Sequence, residues 1–159
     1  MSQKKCANLL RAIVIVAAIA AAAVYFALVP SIAVYLRDMY PEFAFAFWPW
    51  LIYVTISCVP VYWALFSAWQ IFTRIGLDRS FCDENARDMR TIAILAAADG
   101  VYFFVGSIAV SILVTGHPAV FLLFTALTIA ALILSGVCAA LAMLIGKASR
   151  LQEENDLTI

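Results

Sequence analysis

Apolar residues fall in four long blocks, approximately 12–36, 45–72, 91–115 and 118–145, separated by short stretches where charge returns. A helix rises about 1.5 Å per residue, so roughly 20 residues cross a hydrocarbon core about 30 Å thick, and each block reaches that length. None alternates apolar with polar residues in the manner of a barrel strand. Backbone in lipid must satisfy its own hydrogen bonds, so the pattern predicts an all-α fold: a bundle of four transmembrane helices forming a single membrane domain over 1–159. The first block follows Lys4, Lys5 and Arg11, but it is longer than the roughly 7–15 residues of a signal-peptide core and is read as a retained span. Pro30 and Pro60 lie inside the first and second spans and should bend them, since each removes a backbone donor and crowds the preceding turn.

Basic residues set the expected orientation. Lys4, Lys5 and Arg11 precede the first span, Arg74, Arg79, Arg87 and Arg90 occupy the loop 74–90, and Lys147 and Arg150 begin the tail 146–159. The other two connections hold only Arg37, so both termini and the middle loop are expected in the cytoplasm, with neighbouring spans antiparallel. Tyr35, Tyr40, Trp48 and Trp50 gather around the first external connection, as amphipathic rings at a headgroup boundary do. Gly116, His117 and Pro118 form a second external turn so tight that spans three and four must be adjacent.

Composition supports a membrane solvent: 66% of residues are apolar and 13% charged, against roughly a quarter charged in soluble domains. Lys and Arg balance Asp and Glu at ten each, and a chain without a concentrated basic surface is not expected to bind nucleic acid directly. Cys6, Cys58, Cys82 and Cys138 are scattered singly and His117 is the lone histidine, so no metal site and no disulfide framework is read. No nucleophile–base pair or phosphate loop is present, so the expectation is a protein that is not an enzyme and carries no cofactor. Small residues recur four apart, as in Ala17 and Ala21, Ala96 and Gly100, Gly136 and Ala140, and Ala142 and Gly146. Such pairs let helices approach closely in lipid; internal packing is the first reading and a homo-oligomer face the second.

Asp99 is the only formally charged side chain deep within a span, about 13 Å along the helix from Arg90. Tyr62, Ser67 and Ser135 lie at matching depth and complete a candidate intramembrane polar site. Two readings stay open: a proton- or ligand-linked site, and a structural role as an interhelical hydrogen bond or as a carboxyl near enough to the inner surface to reach water.

In the loop, Ser80 with Asp83 three residues later reads as a capping box, predicting a helix that begins near Phe81 and continues into span three. Arg87 is spaced to pair with Asp83 and Glu84 on that helix. The stretch LDRSFCDENARDMR, with LQEENDLTI at the far end of the chain, resembles the bacterial membrane family catalogued as domain of unknown function 2975. That family shows a Gly-x-Pro-Phe-Thr-like turn, then Glu-Asn-Ala and spaced basic residues; Phe81, Glu84, Asn85, Ala86, Arg87 and Arg90 match it, while Ser80 replaces Pro and Cys82 replaces Thr. The resemblance implies a multi-pass protein of the bacterial plasma membrane without an assigned activity, and a small helix-turn-helix regulator as a cytosolic partner. The expected partner surface is Arg79, Phe81, Glu84, Asn85, Arg87 and Arg90 with Glu153, Glu154, Asn155, Asp156, Leu157 and Ile159. The leading expectation is a membrane sensor or anchor docking such a protein there; the alternative is a small proton-coupled transporter or resistance protein using Asp99.

Overall fold

A computed structural model describes residues 3–113 and 118–156, all helical apart from short turns. The turn at 114–117, with His117, lies outside the described residues, as do Leu157 and Ile159. Four helical stretches are long and apolar enough to cross a membrane: Lys5–Met39, Pro41–Ile75, Asp83–Ala109 and Val120–Glu154. Large apolar side chains such as Val16, Ile19, Phe26, Phe66, Ile112 and Leu144 stand exposed along them, which is how a lipid-facing surface looks when the solvent is apolar.

The first span is made of α1 (Gln3–Ala23) and α2 (Val29–Met39), joined by a single π-turn at Val24–Leu28. Pro30 explains the turn. It has no amide proton to give and its ring crowds the carbonyl four residues back, so the chain widens just before it. The second span does not form one continuous helix. After a 3₁₀ turn at Pro41–Ala46, α3 (Phe47–Ile56) stops and α4 (Cys58–Ile75) restarts, with Ser57 between them. Pro60 leaves the Ile56 carbonyl without its helical donor, and Ser57 Oγ caps the broken turn by donating to the Val54 carbonyl at 2.9 Å.

The third span, α5 (Asp83–Leu113), and the fourth, α6 (Pro118–Asp156), are unbroken where described. The 39 residues of α6 extend about 58 Å, nearly twice the hydrocarbon thickness, so its last turns stand clear of the bilayer.

Spans adjacent in sequence are adjacent in space. The α5–α6 contact is the most extensive, followed by α4–α5 and α1–α4. Gly100 lets the first of these close: a Cβ there would lie 3.2 Å from Ala131 Cβ and 3.5 Å from the Thr128 carbonyl. Gly136, by contrast, faces open space, so the Gly136 and Ala140 pair is not used for internal packing.

Two apolar clusters fill the bundle. Val29, Val54, Phe103 and Phe124 meet toward the end with the aromatic connection, and Ile71, Ile92, Ala93 and Cys138 meet toward the other. At this second end Arg11 Nη2 donates to the Thr73 carbonyl at 3.3 Å and its guanidinium lies over Trp69. Gly76 sits against Ala7 there, and Gly146 faces Ala86. The start of α1, the α4–α5 connection and the far half of α6 therefore share one end of the bundle.

Candidate functional site

The α4–α5 connection is a tightly bonded turn. At the end of α4, the Arg79 amide donates to the Arg74 carbonyl at 3.0 Å and the Asp78 amide to the Ile75 carbonyl at 3.2 Å. These are the paired bonds of a Schellman cap, whose turning residue must adopt the left-handed conformation. Asp78 does so, with φ of 60°. A glycine, without a Cβ, would enter this region at no steric cost.

Asn85 fastens the turn to both helices. It is wholly buried although it lies in the first turn of a helix at the membrane edge. Its Nδ2 donates to the Arg79 carbonyl at 3.1 Å and the Ser80 carbonyl at 3.0 Å, and its Oδ1 accepts from Arg74 Nη1 at 3.2 Å. Arg74 in turn pairs with Asp88 on α5 and donates from Nη2 to Gln70 Oε1 at 3.1 Å. A half-buried guanidinium thus ties α4, α5 and the loop together through charge-assisted bonds.

This arrangement corrects the expected capping box. The helix starts at Asp83, not near Phe81, and Cys82 is the residue whose carbonyl accepts the first helical amides, from Asn85 at 3.0 Å and Ala86 at 3.2 Å. Ser80 is displaced because its own carbonyl is held by Asn85, and the chain bends at Phe81 before the helix begins. Asn85 is likewise an internal clamp, not a surface contact. Arg87 pairs with neither Asp83 nor Glu84 among the described residues; Glu84 approaches Arg79 instead, at 4.0 Å.

The remaining predicted surface residues of the loop, Arg79, Phe81, Glu84, Arg87 and Arg90, are exposed. Phe81 is 58% exposed and its neighbour Leu77, which sequence reasoning did not single out, 67%. Glu153 and Glu154 are also exposed, and the tail continues α6 as helix through Asp156. Asn155 and Asp156 are described as helical backbone only.

Inside the membrane the structure does not join Asp99 to the residues chosen by depth. Tyr62 donates to the Ala18 carbonyl on α1 at 3.0 Å, Ser135 to the Ala93 carbonyl on α5 at 2.8 Å, and Ser67 is buried on α4. Asp99 Oδ1 is buried with no hydrogen-bond partner.

Among the described residues, the phenols of Tyr25, Tyr53 and Tyr102 lie close enough to Asp99 to feel its charge. Tyr25 bonds Ser57 Oγ at 2.9 Å, and since the Ser57 proton goes to Val54, Tyr25 is the donor. Tyr53 and Tyr102 stack with ring centres 4.2 Å apart, and each hydroxyl donates to the other residue's carbonyl. The sequence signal for this cluster was Pro60, whose helix break turns Ser57 and Tyr53 toward α1 and α5. Among the described residues no three His, Cys, Asp or Glu side chains converge on a metal position, and nothing points to catalysis.

Comparison with known proteins agrees with this architecture. The Uncharacterized membrane protein YoaS of Bacillus subtilis (strain 168) is 23% identical over 134 residues, covering 83% of this chain and 84% of that protein. No solved structure matches. The four spans and this relative make the chain a multi-pass bacterial membrane protein. A family model described as Protein of unknown function (DUF2975) matches residues 31–159, which takes in the clamped loop and three of the four spans in full, and the chain belongs to that family.

Proposed function

We propose that the protein is a non-catalytic membrane anchor or sensor, and that the bundle end carrying the loop faces the cytoplasm and docks a cytosolic protein. The observation that carries this reading is the Asn85 clamp, which holds the exposed apolar side chains of Leu77 and Phe81 on a turn fixed to two helices. Apolar groups presented on a pre-ordered scaffold lose little entropy on binding, which is the economy of a recognition surface. Arg79 and Glu84 beside them would set register, and the acidic end of α6, through Leu157 and Ile159, would extend the contact. The excess of Lys and Arg at this end supports the cytoplasmic orientation. A small helix-turn-helix regulator is the partner class to test first.

The test is a photoreactive amino acid at position 81 in native membranes. A discrete protein adduct is expected, lost on Asn85→Ala and on deletion of 151–159, with membrane insertion retained. Adducts to lipid alone would refute docking.

A second reading rests on the unpartnered carboxylate oxygen of Asp99. Intramembrane acids commonly mark proton or ion pathways, so this reading is a small proton-coupled transporter or resistance protein. Asp99→Asn would then abolish transport with expression preserved; full activity in that variant would remove the reading.

A further inference from the structure

At the loop end, α5 and α6, in contact through Ala86 and Gly146, border a groove of about 710 Å³ lined by residues from both helices. Its lining on the α6 side nearer the middle of the span is apolar: Ala139, Ala142 and Met143. Its mouth is cationic, with Arg87 and Arg90 on α5 facing Lys147 and Arg150 on α6 against the lone carboxylate of Asp83. Members of each pair are three residues apart, so both cations of a pair lie on one helix face. No ion pair or side-chain hydrogen bond among the described residues engages these four cations.

From charge and position together we infer that this groove binds an anionic phospholipid. The cations stand where the apolar blocks beginning at Thr91 and ending at Ile145 meet polar sequence, which is headgroup depth. A phosphate there meets an excess of positive charge, and an acyl chain of the same molecule continues along Ala142 and Met143, whose side chain is 66% exposed. A soluble acidic peptide would satisfy the cations and leave the apolar wall uncovered; a zwitterionic lipid would cover the wall and offer its phosphate, but its own ammonium would be set among four cations. Basic pockets between transmembrane helices select anionic headgroups on this ground. The site shares Arg87 and Arg90 with the expected partner surface but not Leu77, Phe81 or Asn85, on which the docking proposal rests, and Lys147, Arg150 and the apolar wall belong to the groove alone.

The full chain, purified in detergent, is titrated with phosphatidylglycerol, cardiolipin, phosphatidylcholine and inorganic phosphate while bound lipid is read by native mass spectrometry. The anionic lipids are expected to bind at least tenfold more tightly than phosphatidylcholine, and inorganic phosphate not to compete at lipid-equivalent concentration. The double variants Arg87→Gln/Arg90→Gln and Lys147→Gln/Arg150→Gln should each weaken anionic-lipid binding about tenfold or more, whereas Lys5→Gln/Arg79→Gln, outside the groove, should not. Met143→Trp, which fills the apolar wall with every charge intact, should also reduce binding and decides the matter if a charge variant does not fold. Equal binding of all lipids, equal loss in the Lys5/Arg79 control, full competition by phosphate, or no effect of Met143→Trp would overturn the inference.

Discussion

Replacing Asn85 by alanine removes three hydrogen bonds at once and leaves both helices otherwise unchanged. Two are neutral bonds to the Arg79 and Ser80 carbonyls and one is accepted from the Arg74 guanidinium. Neutral bonds contribute about 1 kcal/mol each and one to a charged group about 2 kcal/mol, together about 4 kcal/mol. Water reaches the opened turn and rehydrates the freed carbonyls, which lowers the net loss to about 3 kcal/mol. At about 1.4 kcal/mol per decade, that is roughly a hundredfold rise in the population of open loop. Amide hydrogen exchange in lipid nanodiscs reads it directly: the amides of Leu77, Asp78 and Arg79, bonded to Arg74 and Ile75 carbonyls, should exchange about a hundredfold faster, and those in the core of α5 and α6 at an unchanged rate. Asn85→Asp keeps an acceptor for Arg74 but turns a carboxylate oxygen toward two carbonyls, so it should loosen the loop as much as alanine does. Exchange of the 77–79 amides that stays within about threefold of wild type in both variants would show that the Schellman bonds alone hold the turn and that the clamp argument is wrong.

Three further outcomes follow from individual contacts. Asp78→Gly relieves a left-handed residue and should stabilise by about 0.5–1 kcal/mol, whereas Asp78→Val should cost about 2 kcal/mol, both read as shifts in thermal unfolding midpoint in detergent. A Cβ at Gly106 would overlap the Tyr53 ring, so Gly106→Ala should destabilise by about 1–3 kcal/mol and open the Tyr53–Tyr102 stack, visible in near-ultraviolet circular dichroism; Gly136→Ala, in open space, should be neutral or stabilise by up to about 1 kcal/mol. Arg11→Met removes a charged bond to the Thr73 carbonyl and a cation–π contact with Trp69, and should cost about 2 kcal/mol and raise the rate of hydrogen exchange at the start of α1.

The spans could be read from sequence because lipid imposes a length on any apolar helix, whatever packs against it. Family membership was also legible in the loop, since Phe81, Glu84, Asn85 and the spaced arginines match the family pattern. The role of Asn85 was not. A polar residue in the first turn of a helix at the membrane edge looks solvated until the chain is seen to wrap back over it, and the Arg74–Asp88 pair spans 14 residues of sequence, beyond any local rule. The intramembrane partners failed for a different reason. Matching Tyr62, Ser67 and Ser135 to Asp99 used depth along the spans alone, which does not fix the direction in which a side chain leaves its helix. The side chains brought near Asp99 are Tyr25, within the π-turn at Val24–Leu28, and Tyr53, just before the stop at Ser57.

Those two interruptions also explain how one arrangement is selected in a solvent that rewards apolar burial weakly. Between helices in lipid, a Leu gains little by exchanging a fatty chain for another side chain, so directional bonds carry more of the specificity. Tyr25 to Ser57 joins the first span to the second at the helix break, Tyr62 to Ala18 joins them again, and Arg11 to Thr73 closes their ends. The reciprocal Tyr53 and Tyr102 bonds join the second span to the third near one end, and Arg74 with Asp88 and Asn85 near the other. Ser135 to Ala93 joins the third to the fourth, where close approach at Gly100 adds dispersion contact. Each successive pair of spans is thus fixed by a side chain whose hydrogen bond has no replacement in hydrocarbon. Two buried atoms stand outside this logic of satisfied polar contacts, Arg11 Nε and Asp99 Oδ1; Arg11 is otherwise engaged through Thr73 and Trp69, which leaves Asp99, near these bonded phenols, unexplained as structure alone.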